Sequence, residues 1–383
     1  MVRLAPVLAA ALAACSFSAR PPGEGDGDGG VDAITDSPPL EIDAPGTTCA
    51  AGFLDLCGEP PATEAFVIAV DRDFNTDTDP RCRTFAQAGG PDVCLVMATS
   101  VQIAGGTALF VAGSRPLAIA SAGSIDIMGI LDVSSRRGGA PGPNAQACPF
   151  ARIPEDDPGG AGGAAGGTFV ATGGIGGLGD SDTSLGADGN APGGLPGSAV
   201  AISKLRGGCA GGKGGNQVAA GNQGGAGGAG GGGLYLVARG TIGVVGNGKI
   251  RATGGGGTGG SAQAGGGGGG SGGYIILEAP TVFIDGELSA NGGGGGEGGA
   301  NIASVPTAGV SGADGTYGMT AAAGGVGPDD RLGYGGDGGA WMTSGGAAGR
   351  DSIVSGGGGG GAVGVIRILG TRTGAGLVTP PAI

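Results

Sequence analysis

Three stretches of the chain keep their apolar residues on one parity and carry that parity through a glycine. In SIDIMGILDVSS (124–135) the apolar positions are Ile125, Ile127, Leu131 and Val133, with Gly129 between them. In TIGVVGNGKIRATG (241–254) they are Ile242, Val244, Ile250 and Ala252, around Gly246 and Gly248. In TVFIDGELSANG (281–292) they are Val282, Ile284, Leu288 and Ala290, around Gly286. Period-two alternation marks a strand with one buried face. Asp285-Gly286 and Asn247-Gly248 are favoured hairpin-turn pairs. A two-residue hairpin at Asp285-Gly286, however, would set Ile284 opposite Glu287 and Val282 opposite Ser289, mixing apolar and polar residues on each face. A one-residue slip turns a whole strand over. The preserved parity therefore predicts two short strands joined at a bend, with glycine where no Cβ fits. On this reading Phe283, Asp285, Glu287 and Ser289 form the solvent face.

A further short segment precedes two of these stretches by eight residues: Leu234 and Leu236 before Ile242 and Val244, and Tyr274 and Ile276 before Val282 and Ile284. Leu109/Val111 and Ile366/Ile368 read as additional first strands. Such repetition predicts an all-β fold of stacked units, a β-solenoid of the parallel β-helix type. Long glycine-rich insertions at 138–233, 254–273 and 292–361 interrupt it. Many of their pieces follow a G-G-x rhythm, as in GGAGGAAGG at 159–167. Two readings stay open. The period of three suits extended, polyproline-II-like segments packed on one another. The unbroken GGGGGG runs, with no face to distinguish, suit disordered loops.

Composition sharpens that choice without settling it. The chain has 383 residues with 100 Gly and 23 Pro, a fraction that reads as low complexity. Yet only 13% are charged and 39% are hydrophobic, the reverse of a disordered chain. Net charge is −13 with no histidine, which excludes a basic nucleic-acid footprint and removes the commonest general base and zinc ligand. Collagen needs a strict triplet and more proline. A phosphate loop needs a Lys-Ser/Thr pair opening a helix, and GGKGGN at 211–216 has only the lysine. No cofactor is expected.

The N-terminus reads MVRLAPVLAAALAACSFS, one positive charge followed by a short apolar run. That is the form of a secretory signal peptide, too short to span a bilayer. Leu12-Ala13-Ala14-Cys15 resembles a bacterial lipobox, predicting cleavage after residue 14 and acylation of Cys15; Ser16 in the next position points to the outer membrane. The expected organisation is a signal peptide at 1–14, a lipidated Cys and acidic Pro/Gly tether at 15–48, a disulfide-tied cap at 49–100, and the glycine-rich solenoid at 101–383. Six further cysteines, Cys49, Cys57, Cys82, Cys94, Cys148 and Cys209, lie beyond the lipobox. In an oxidising compartment they predict three disulfides among fifteen connectivities. Proximity favours Cys49–Cys57, Cys82–Cys94 and Cys148–Cys209. In VDRDFNTDTDPRC, Asp71, Asp73, Asn75, Asp77 and Asp79 alternate like the first half of a calcium loop. Thr76 replaces the turn glycine, though, and Cys82 takes the twelfth position.

The strings GSRPLAIASAGSIDIMGILDVSS, RGGCAGGKGG, GGGGGGSGGYIILEAP and SANGGGGGEGG resemble those of glycine-rich surface lipoproteins of myxobacteria and related deltaproteobacteria, often labelled PE-PGRS-like. The resemblance covers most of 49–370. It implies secretion and a surface location, and brings no catalytic residue. The expected function is that of a non-catalytic, lipid-anchored envelope or surface protein with a structural, adhesive or interaction role. Its expected partners are the membrane through its lipid, and envelope polysaccharide or another surface protein; no nucleic acid is expected. The alternatives are a carbohydrate-active enzyme, with Glu155, Asp156, Asp157, Asp329, Asp330 and Arg331 as candidates, and a cation-binding surface module.

Overall fold

The computed structural model describes residues 52–180, 190–302, 305–327 and 333–383. The expected signal peptide and tether, Cys15 and Cys49 lie outside the described residues, as do Asp329, Asp330 and Arg331. The fold is all-β, with no helix among the described residues. It begins with β1 (Phe66–Ile68), β2 (Arg72–Asn75) and β3 (Arg83–Phe85). Three triplets of strands follow: β4 (Val93–Ala98), β5 (Val101–Ile103) and β6 (Ala108–Ala112); then β7 (Leu117–Ser121), β8 (Ile125–Ile127) and β9 (Ile130–Asp132); then β10 (Gly233–Ala238), β11 (Thr241–Val244) and β12 (Lys249–Arg251). The long strand β13 (Tyr274–Ile284) precedes β14 (Glu287–Ser289). The antiparallel pair β15 (Ala300–Ile302) and β16 (Val305–Thr307) lies within the third insertion, before β17 (Val365–Thr373) and β18 (Leu377–Thr379).

One sheet runs β1-β5-β8-β11-β13-β10-β7-β4-β3, with β17 also on β13, and the other runs β18-β14-β12-β9-β6-β2. Their pairings are parallel apart from β3 with β4. The three sequence repeats fall in register: Ile125, Ile242 and Val282 align in one row, and Leu131, Ile250 and Leu288 in another. All six are fully buried in one core. β13 and β14 do not pair with each other, so the hairpin is absent. At the bend, a Cβ on Gly286 would lie 2.1 Å from the carbonyl oxygen of Gly248 in the neighbouring repeat. The glycine is needed for the stacking of one repeat on the next.

Several expectations change. Leu109 and Val111 lie in β6, in the second sheet and beside β9, so they are not a first strand. Leu234 and Leu236 register with Ile275 and Leu277, not with Tyr274 and Ile276. The sheet is buried on both sides there: Ile275 and Leu277 enter the inner core, while Tyr274 and Ile276 join an outer core with Leu54, Leu56, Phe169 and Leu205. A strand covered on both faces reads as a continuous apolar run, which hides parity. Ser289, expected in solvent, is fully buried, and Glu287 pairs with Lys249 at 3.0 Å. Strands on both sides of residue 100 share the same sheets. The Cys82–Cys94 and Cys148–Cys209 disulfides form as proximity suggested.

The described glycine segments are held by hydrogen bonds that recur every third residue. In AGGGGGGSGG (264–273), the amides of 265, 268 and 271 donate to carbonyls of 215, 212 and 209. Those of 266, 269 and 272 donate to 356, 359 and 362, and those of 267, 270 and 273 to 258, 255 and 252. Its carbonyls in turn accept from segments 164–167, 225–231 and 293–296. Bonds that recur every third residue and run to neighbouring segments set these segments side by side. The segment is enclosed on every side, so none of its glycines has a free face. The unbroken runs at 265–270, 292–296 and 356–361 all occupy such enclosed positions, which corrects the disordered reading of them. Where a segment lies at the periphery, the third residue points outward, as Ile175, Lys213 and Ala226 do.

The tracts continue the strands. Segments 224–232, 264–273 and 355–364 lead into β10, β13 and β17, which are themselves adjacent. A hydrogen bond contributes about 1 kcal/mol net, against about 1–2 kcal/mol to fix each residue's backbone. Glycine sits at the costly end of that range. The ordering cost exceeds the hydrogen-bond gain by up to about 1 kcal/mol per residue, so the bundle needs the sheets to hold its segments in register.

Candidate binding groove

The outward face of the second sheet carries one continuous row. Asp73 on β2 registers with Phe110 on β6, Phe110 with Asp132 on β9, Asp132 with Arg251 on β12, Arg251 with Ser289 on β14, and Ser289 with Thr379 on β18. Alternation sets these residues opposite the core-facing Phe74, Leu109, Leu131, Ile250 and Leu288. The third insertion covers the far part of the row. Tyr317 lies under the Arg251 guanidinium at 3.6 Å, and Asn291 Nδ2 donates to the carbonyls of Thr316 and Gly318 at 2.9 and 2.7 Å. This cover buries Ser289.

The near part stays open as a groove of about 460 Å3, with Asp73, Asn75, Phe110, Asp132, Ser134 and Arg136 among its lining. Phe110 is 36% exposed, an aromatic in a row that is otherwise polar. Asp132 is 4% exposed and fully engaged: Oδ1 accepts from the Ser134 amide at 2.9 Å and Oδ2 from Arg136 Nη2 at 2.5 Å. The Arg136 guanidinium stands 5.7 Å from the Phe110 ring centroid and donates to Tyr317 Oη at 3.3 Å. Partial burial works against its charge. The Asp132 carboxylate, helped by Tyr317 and Asp314, nonetheless holds its pKa above the ordinary arginine value. The result is a rigid floor with one aromatic face, a fixed cation and an exposed carboxylate and amide, Asp73 and Asn75, at alternate positions of β2.

The residues of the calcium-like stretch are not brought together. Asp71 Oδ1 accepts from the Ala108 amide at 2.9 Å, and Asn75 Oδ1 from the Asp77 amide at 2.8 Å. Asp79 is paired with Arg72. Asp77 binds the Ser114 amide and hydroxyl at 2.8 and 2.6 Å and faces Arg115 at 3.6 Å. Slight burial would raise its pKa, but the Ser114 hydrogen bonds and Arg115 outweigh it and lower the value. No group of three or more His, Cys, Asp or Glu among the described residues could hold a metal ion. Of the acidic turn residues, Asp156 accepts from Asn216, and Asp157 caps the amides of Gly159 and Gly160 at 2.6 and 2.8 Å. These hydrogen bonds tie the turn that opens the first glycine segment.

The sequence reading missed Phe110, Asp132 and Arg136. The available signal was Phe110 itself, an aromatic flanked by Leu109 and Val111 on the opposite parity. No protein-family model matches the chain, and no match is found among curated proteins or solved structures.

Proposed function

We propose that the chain is a secreted lipoprotein, held at the outer membrane or cell surface by acyl chains on Cys15, with a non-catalytic structural, adhesive or interaction role. Its folded part is read as a β-solenoid, each turn contributing a strand to each face, with polyproline-II glycine segments extending its turns. The in-register triplets β4-β5-β6, β7-β8-β9 and β10-β11-β12 support the solenoid.

One observation carries the functional reading. A large share of the described residues forms a bundle held by backbone hydrogen bonds, its interior mostly glycine with small residues such as Ala164, Ala165 and Ala362, and with third positions such as Ile175, Lys213 and Ala226 at its periphery. A core with room for little beyond glycine and alanine cannot diversify inside, so the outward positions are where sequence is free to vary. That is the construction of a presentation scaffold. Disulfides suit its exposed location. Several acyl chains, at about 0.8 kcal/mol per buried CH2, hold firmly.

The test is cell fractionation with surface proteolysis of intact cells. The wild type is expected in the membrane fraction and accessible to added protease, with Cys15→Ala released to a soluble fraction. A wild type that is soluble from the start would overturn the anchor.

A further inference from the structure

The groove around Phe110 lies on the outward face of the second sheet, beside the part that the third insertion covers. Its floor spans three strands, β2, β6 and β9, about 10 Å from the first to the third. Its chemistry is mixed in a particular way. Phe110 offers an apolar ring face, Asp73 offers acceptors, Asn75 offers donors from its amide nitrogen, and Arg136 is a donor held in place by Asp132. A pyranose ring has a matching constitution, with an apolar C–H face to lie on an aromatic and hydroxyls around its rim that donate and accept together.

Charge selects among saccharides. Asp73 and Asp132 against Arg136 leave the lining net negative, and the whole chain carries −13. Acidic polysaccharides are repelled at both scales. A peptide strand would need free backbone groups to pair with, whereas this floor presents side chains. Asp132 is committed to Arg136 and to the Ser134 amide, so it is not placed to deliver a proton to a leaving group. The arrangement favours holding a sugar over cleaving it.

We infer that the Phe110 groove binds a short stretch of a neutral polysaccharide, with a hexose stacked on Phe110 and its hydroxyls hydrogen-bonded by Asp73, Asn75 and Arg136. This rests on the reading of the chain as a non-catalytic surface protein and supplies that reading with a ligand class.

The experiment titrates the folded protein with cellohexaose, maltohexaose and chitohexaose, and with an acidic hexamer, oligogalacturonate. Calorimetry measures binding, and an assay for new reducing ends follows each mixture. Binding of at least one neutral hexamer is expected, weakened about tenfold by Phe110→Ala and less by Asp73→Ala, with both variants melting like the wild type. Oligogalacturonate is expected not to bind. If no neutral hexamer binds, or if Phe110→Ala binds as tightly as wild type, the inference is overturned while the anchored-scaffold reading stands. If only the acidic hexamer binds, the charge argument is overturned. New reducing ends would uphold the ligand class and overturn the non-catalytic reading beneath it.

Discussion

Ile284 and Gly268 are both enclosed, and what encloses them differs completely. Ile284 is fully buried among Ile127, Val244 and other aliphatic side chains, in a core made by removing apolar surface from water. Gly268 sits among backbones. Its amide donates to Gly212, its carbonyl accepts from Gly228, and a Cβ placed on it would lie 2.0 Å from the Ala165 carbonyl oxygen. One region specifies its structure by which side chains it has, the other by having almost none. A side-chain core tolerates exchanges of similar volume. At positions such as Gly268 the backbone core has no spare volume, so tolerance there ends at hydrogen.

The sharpest way to break this comparison is Gly268→Ala. Outside such an environment a glycine-to-alanine change restricts the unfolded chain and is mildly stabilising. Here it is expected to cost about 4 kcal/mol or more, read as loss of the cooperative thermal transition or of dispersed glycine amides in NMR spectra. Ala226→Ser, on the outward third position of a neighbouring segment, is expected to stay within about 0.5 kcal/mol of wild type. Equal effects of the two would remove the distinction between enclosed and peripheral segments.

In the side-chain core, Leu288→Ala is expected to cost about 2–5 kcal/mol by leaving a cavity, measured by denaturant unfolding. If the bundle depends on the sheets for its register, glycine amide signals are lost at the same denaturant concentration as the far-UV signal of the strands. Replacing both Cys148 and Cys209 by serine releases the tie between two arms of the first insertion and is expected to cost about 2–4 kcal/mol. The same unfolding curve reads it, in the absence of reductant.

The outer core adds a pH dependence. Burial, then a hydrogen bond to Glu278, pushes the Tyr235 hydroxyl well above its usual pKa; burial does the same for Tyr274, opposed by Arg367. A folded pKa above the unfolded one means that the stabilisation is complete below about pH 10 and is lost as pH rises beyond it. Unfolding free energy is expected to fall by up to about 1.4 kcal/mol per pH unit for each tyrosine above that point. Tyr235→Phe should flatten the slope. The smallest effect expected is at Lys213→Ala, an exposed third position whose Nζ bonds only to Gln223 among the contacts seen, and its melting curve should overlay that of the wild type.

The two regions were also unequally legible. Parity through Gly129, Gly248 and Gly286 gave the inner core and the absence of hairpins, because one buried face imposes a period of two. It failed at YIIL, where both faces are buried and every residue is hydrophobic, and at Leu109, which looks like any other inward leucine. The G-G-x rhythm announced the peripheral glycine segments, since their third residue is free. The enclosed runs carried no such sign, as a position closed on every side leaves glycine alone. Phe110 was visible as an aromatic on the wrong parity. Asp132 and Arg136 needed the register of β6 with β9, and that register depends on pairing between distant repeats.

Native-state hydrogen exchange of the amides of 265–270, measured beside those of Ile275, Ile276 and Leu277, tests the central claim most directly. These glycines continue straight into β13, so the two groups differ only in having a backbone or a side-chain environment. A bundle held by hydrogen bonds to its neighbours predicts slow exchange in both, with protection in the glycine run reaching that of the strand. Glycine amides exchanging at unstructured-chain rates while the strand stays protected would contradict it.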